Sequence, residues 1–131
     1  MKDKTKTWLE LAQNDLDFAK SIFDSKKRYC YVVHFCHQSL EKLLKAIIQE
    51  YSEETPKRTH NFKTLWEQAQ IPLTERQKLQ LLEIMPHYIG TKYPEDIRQL
   101  HKIYTKKYVE KLLINTMELF KWLKKYLQLK K

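Results

Sequence analysis

Residues 36–47 read CHQSLEKLLKAI, running from Cys36 to Ile47, and mix charged side chains into an otherwise apolar run. At helical spacing Gln38, Glu41, Lys42 and Lys45 recur three and four residues apart and form one polar ridge, while Leu40, Leu43, Leu44, Ile47 and Ile48 point elsewhere. An amphipathic helix normally separates its two faces cleanly. The ridge therefore predicts that something polar meets it. Val, Phe, Leu and Ile in the flanking residues extend the helix from about Tyr29 to Tyr51, long enough to be the spine of a bundle.

Working outward, the turn Ser25–Arg28 (SKKR) is preceded by a helix predicted from about Thr7 to Asp24, with a stripe of Trp8, Leu11, Ala12, Ala19, Ile22 and Phe23. Asp15 falls on that stripe. A carboxylate among apolar neighbours needs a partner, and a lysine of the ridge is the nearest in kind. After the spine, residues 52–61 (SEETPKRTHN) read as a loop, and Asn61 is positioned to cap a short helix, FKTLWEQAQ, that Pro72 ends. Thr74 followed by Gln77 fits a capping box for a fourth helix carrying Leu79, Leu81, Leu82 and Ile84, which Pro86 ends or kinks. Gly90 and Pro94 bracket a second loop, IGTKYPED. A last helix is predicted from about Lys106 to Leu127 with Val109, Leu112, Leu113, Leu119, Phe120 and Leu123 inward, and residues 96–105 add a turn or stay irregular.

The sum is an all-α, up-and-down helical bundle of four to five helices, read as one domain over residues 1–131. The composition agrees, with 42% hydrophobic residues against one Gly and four Pro. That is too apolar for disorder and too poor in turn formers for many short strands. Net charge is +9, and the nine Lys and two Glu of residues 101–131 account for +7 of it. Such a basic end either draws phosphates through its summed field or is a solvated lysine face. No stretch reaches the roughly 20 apolar residues of a membrane span, and the N-terminus has no apolar run of a signal peptide, so the expectation is a soluble cytoplasmic protein. Cys30 and Cys36 sit about 240° apart around a helix and should remain free thiols.

A single glycine leaves no phosphate-binding glycine loop, and the common zinc and hydrolase signatures are missing. Cys30, His34 and His37 share a helix face, a pattern more common in bundle cores than at metal sites. No metal or cofactor is expected. Metal-independent RNA cleavage needs a base and a cation near the phosphate, for which Arg28 with His34 and Arg98 with His101 are the candidate catalytic pairs.

The chain resembles the HEPN family, small helical domains of prokaryotes and higher eukaryotes, over nearly its whole length. Ala12, Asp15, Leu16 and Ala19 match the family's first-helix pattern. Gln38, Glu41, Lys42, Lys45 and Ala46 match its glutamine, Glu-Lys and Lys-Ala positions. Thr59, His60 and Asn61 are similar to its Thr-His-Asp/Asn element, and Lys92, Tyr93, Pro94 and Glu95 to its Arg-Tyr-Pro-Asp/Glu element. Lys92 keeps the charge of the expected arginine but not its planar bidentate donor. Ribonucleases of the wider superfamily carry an arginine and a histidine with four to six residues between them near the start of a late helix. Arg28 and His34 have that spacing but open the second helix, and Arg98 and His101 lie in the right region at the wrong spacing.

The resemblance implies a homodimer often encoded beside a minimal nucleotidyltransferase protein partner, as in toxin–antitoxin pairs, and the leading reading is a non-enzymatic domain that binds a nucleotide or that partner. Nucleotide would be held by Gln38, Lys42, Lys45, His60, Lys92 and Tyr93, the lysines on phosphate and His60 or Tyr93 on the base. Three other readings stay open. The same polar residues could satisfy one another inside the bundle, the chain could be a metal-independent ribonuclease toxin, or it could be a basic RNA-binding scaffold.

Overall fold

The computed structural model describes residues 1–89, 92–100 and 102–129, which form six α-helices and no strand. These are α1 (Asp3–Asp24), α2 (Tyr29–Tyr51), α3 (Phe62–Ala69), α4 (Glu75–Ile84), α5 (Pro94–Leu100) and α6 (Lys106–Leu129), with a 3-10 turn at Met85–His87. The architecture is the expected all-α bundle. The short α5 takes up part of the stretch the sequence left open, and Gly90 lies outside the described residues.

Antiparallel α1 and α2 form a hairpin. At one end the Lys2 backbone N–H and the Thr5 hydroxyl both donate to Glu50 Oε1 at 2.9 Å. This replaces the side-chain cap that α1 lacks at Lys2. Further along, Phe18 meets Phe35 edge to face at 4.8 Å, and Phe23 meets Tyr29 beside the turn. α6 runs parallel to α2, since Thr116 bonds the Cys36 thiol and the Leu127 carbonyl accepts from the Tyr51 hydroxyl. α4 lies antiparallel to α6, tied by Lys111 Nζ to Glu83 Oε1 at 3.2 Å.

The central helix is sealed because α1, α3 and α6 each cover part of it. Leu40, Leu43, Leu44, Ile47 and Ile48 are all buried, and each contributes about 1.5–3 kcal/mol by leaving water. The six inward positions predicted for α6 are buried as well. On α1 the buried line is Thr5, Ala12, Leu16 and Ala19, whose two alanines let the helices approach closely. Leu11, expected on the stripe, is exposed, since it sits about 100° round the axis from Ala12. Leu79 and Leu82 are exposed too, because Leu81 and Ile84 set the inner face of α4.

The caps form as expected. Asn61 Oδ1 accepts from the Thr64 N–H, and Thr74 and Gln77 make both bonds of a capping box. Neither Cys30 nor Cys36 is in a disulfide, both are buried, and burial pushes the Cys36 thiol up to about 12. Among the described residues, no helix is long and apolar enough to cross a membrane.

The α1–α2 turn holds two non-glycine residues in the left-handed region, Lys26 at φ 60° and Arg28 at φ 55°. Lys26 follows the α1 C-cap, a place where glycine is favoured. Lys26→Gly is expected to stabilise the domain by about 0.5–1 kcal/mol in urea unfolding. A loss of stability would mean that the Lys26 side chain makes a contact that outweighs the backbone strain.

Candidate functional site

The ridge of α2 meets the loop Thr59–Asn61 around one carboxylate. Glu41 is only 4% exposed. Its Oε1 accepts from His60 Nδ1–H at 2.7 Å and its Oε2 from Lys45 Nζ at 3.1 Å. A buried carboxylate is costly unless paired and hydrogen-bonded, and here both oxygens are engaged. Lys45 also lies 5.6 Å from the centre of the Trp8 ring, so α1 contributes to the same cluster. Lys42 turns the other way and pairs with Asp15 Oδ2 at 2.5 Å, which supplies the partner that the first-helix stripe required. That pair is partly exposed and contributes about 1 kcal/mol at most.

Beneath His60 lies His37, fully buried, stacked on Phe62 at 4.3 Å. Burial pushes its pKa down to about 3, so the ring is neutral. Its Nε2–H donates to the His60 carbonyl at 3.1 Å. That leaves Nδ1 without a hydrogen-bond partner, 3.7 Å from Glu41 Oε1. The Glu41 charge would favour protonation of His37, but it is already engaged by Lys45 and His60, and desolvation prevails.

Tyr88, just past the 3-10 turn, stacks on His60 with ring centres 3.9 Å apart. It also touches His34 and His37, each at 5.1 Å. Burial and then the Glu41 charge raise its hydroxyl pKa. The Tyr88 segment is itself held, because the Ile89 N–H donates to His34 Nδ1 at 2.9 Å. Burial lowers the His34 pKa, which suits a ring nitrogen that accepts. His60 is thus fixed by a carboxylate, a ring face and its own carbonyl. Its side chain is nonetheless 45% exposed, and Nε2 has no protein partner among the described residues.

The structure therefore joins Lys45, Glu41 and His60 in one cluster and places Lys42 on Asp15. Gln38 is half-buried on α2. Lys92 is half-buried near His87, whose pKa is lowered first by burial and then by that ammonium. Tyr93 projects into solvent, 73% exposed, and no ring contact ties it to His60 among the described residues. Arg28 is exposed at the turn while His34 is engaged with Ile89, and no hydrogen bond links the two. Arg98 is exposed on α5, and His101 lies outside the described residues.

Sequence reasoning missed Tyr88 and the role of His37. An aromatic directly after a Pro-containing turn was the available signal for the first, and a histidine one helical turn before Glu41 for the second. It also missed His87, buried with Nδ1 2.7 Å from the Tyr104 hydroxyl, which ties the turn to the start of α6.

The arrangement offers a rigid, exposed imidazole for stacking or proton exchange, on a domain of net charge +9. The sequence matches the family model described as the HEPN domain over residues 5–126. No curated protein and no solved structure gives a significant match. With nearly its whole length matched and an all-α bundle to go with it, the chain belongs to the HEPN domain family and is a nucleotide- or RNA-related helical module.

Proposed function

We propose that this domain is a non-catalytic nucleotide-binding module whose ligand meets the exposed face of His60 and Tyr88, and that it acts beside a minimal nucleotidyltransferase of toxin–antitoxin type. The observation that carries the reading is the fixed His60 ring, held by Glu41 at 2.7 Å and Tyr88 at 3.9 Å while nearly half of it reaches solvent. A pre-positioned ring loses little entropy when a base stacks on it. Phosphate charge would be met by Lys92 and by Lys42, which would exchange Asp15 for the phosphate, with Gln38 and Lys45 shaping the inner wall and Tyr93 approaching from its loop.

Calorimetry with ATP and other nucleotides tests the ligand half. His60→Ala is expected to weaken binding at least fivefold, in line with about 1–3 kcal/mol for one base stacked on one ring. No heat at millimolar nucleotide from folded protein rejects the reading. Co-purification with a nucleotidyltransferase encoded next to it tests the partner half.

The same geometry favours one second reading, metal-independent RNA cleavage. A carboxylate that holds Nδ1–H leaves Nε2 as the basic nitrogen, so His60 rather than His34 or His101 would take the 2′-hydroxyl proton. Cleavage of RNA in EDTA that is lost in His60→Ala would favour it over simple binding.

A further inference from the structure

The rings of His60 and Tyr88 continue into a longer row. Tyr88 lies 5.1 Å from His34, His34 lies 5.1 Å from Phe35, and Phe35 meets Phe18 at 4.8 Å, so ring touches ring from the His60 site across α2 to α1. At its far end the row opens into a groove of about 550 Å³ between the end of α1 and the start of α2, lined by Phe18, Ile22, Tyr31 and Phe35 together with Lys27 and Arg28. Phe18 is 51% exposed and Tyr31 44%, and a phenylalanine has no polar tip to hold it in water. Lysine and arginine are common throughout this chain, so the rings rather than the charge mark the groove.

One edge of the row is polar. Gln38 stands one helical turn beyond both His34 and Phe35, and Lys42 one turn beyond Gln38. Asp15, which holds Lys42, stands one turn before Phe18 on α1, and the charges of Asp15 and Lys42 both act on His34. Rings in a row with a polar, cation-bearing edge suit a strand whose bases stack on the rings while its backbone follows the edge. A mononucleotide on His60 and Tyr88 would occupy one end of the row and leave Phe18 and Tyr31 bare.

We infer that the groove is a second base-binding subsite, and that the ligand of the His60 site is a single-stranded oligonucleotide reaching from one to the other. One base stacks on His60 and Tyr88, and a base further along the strand enters the groove between Phe18 and Tyr31. The three steps from Tyr88 to Phe18 are 5.1, 5.1 and 4.8 Å. A strand advances about 3.4 Å per nucleotide when stacked and more when stretched, so about three or four nucleotides cover the row. Gln38 and Lys42 meet the backbone between the two bases, and the Arg28 guanidinium suits a bidentate contact with the last phosphate. Stacking tolerates any base and needs no 2′-hydroxyl. The inference rests on the nucleotide reading of His60 and extends it from a mononucleotide to a strand.

Calorimetry of the full chain with deoxyadenosine monophosphate and with tetradeoxyadenylate tests it, the deoxy sugar removing the 2′-hydroxyl that RNA cleavage would use. The tetranucleotide is expected to bind at least tenfold tighter than the mononucleotide. Phe18→Ala and Tyr31→Ala should each weaken the tetranucleotide at least fivefold, the low end for one base on one ring, and leave His60-dependent mononucleotide binding unchanged. Phe18→Trp should hold the tetranucleotide within a few-fold of the unaltered chain. Both positions are exposed, so helical content should stay the same, and Tyr31→Ala keeps the test decisive if Phe18→Ala loses helix. A mononucleotide bound through His60 beside a tetranucleotide that is no tighter, or that is indifferent to Phe18→Ala and Tyr31→Ala, overturns the inference and leaves the His60 reading standing. Binding of neither ligand rejects both. A tetranucleotide that needs Phe18 but not His60 overturns the link between the two subsites.

Discussion

Glu41→Ala is expected to lower the unfolding free energy by about 3–5 kcal/mol, the range for removing one partner from a buried ionic cluster. The substitution strands two donors at once. Lys45 keeps an ammonium on a side chain only 11% exposed, and His60 Nδ1–H loses its acceptor. Lys45→Met should cost less, because Glu41 retains the His60 bond and the Met side chain still packs beside Trp8. Glu41→Gln should fall between them, since an amide oxygen still accepts from His60 but carries no charge for Lys45. Urea unfolding at pH 7 gives the comparison, and a loss below 1 kcal/mol for Glu41→Ala would show that the cluster is relaxed by water. The same variant should release the Thr59–Asn61 loop, so any ligand that needs a fixed His60 ring is lost along with stability.

Periodicity was enough to place Gln38, Glu41, Lys42 and Lys45 on one ridge, because spacing alone determines which residues share a face of a helix. It was not enough to say which way the ridge looks. Glu41 and Lys45 are buried and Lys42 is half-exposed because the His60 loop and Trp8 of α1 close over one end of the ridge. Both come from distant parts of the chain. Asp15 illustrates the same boundary, since its need for a lysine was legible but the choice of Lys42 over Lys45 depends on how far α1 slides along α2. Caps are local, and both Asn61 and the Thr74–Gln77 box were readable for that reason. Tyr88 was not, because its stacking on His60 unites two loops that no sequence spacing relates. Leu11 and Leu79 show that an apolar residue near a stripe is not thereby on it.

Acid should reveal His37. Its folded pKa of about 3 lies below the ordinary histidine value of 6.5, so the unfolded chain binds a proton that the folded chain refuses. The sign follows from linkage. The contribution of a neutral His37 is fully present above pH 6.5 and is lost as pH falls toward 3. That slope amounts to about 2 kcal/mol between pH 7 and pH 5, and about 5 kcal/mol over the whole window, at 1.36 kcal/mol per pKa unit. Burial lowers His34 and His87 as well, so they add to the same trend. His37→Gln separates them, because an amide still donates to the His60 carbonyl but does not titrate. Urea unfolding at pH 7 and pH 5 should therefore show the unaltered chain losing about 2 kcal/mol more than His37→Gln. Equal slopes would mean that folded His37 takes up its proton over the same pH range as the unfolded chain, with the imidazolium Nδ1–H donating to Glu41 across a gap that closes in solution. In that case the imidazolium and the carboxylate would form an ion pair in acid beside that of Lys45. Glu41 would then be shared among two histidines and a lysine, and its hold on His60 would weaken as pH falls.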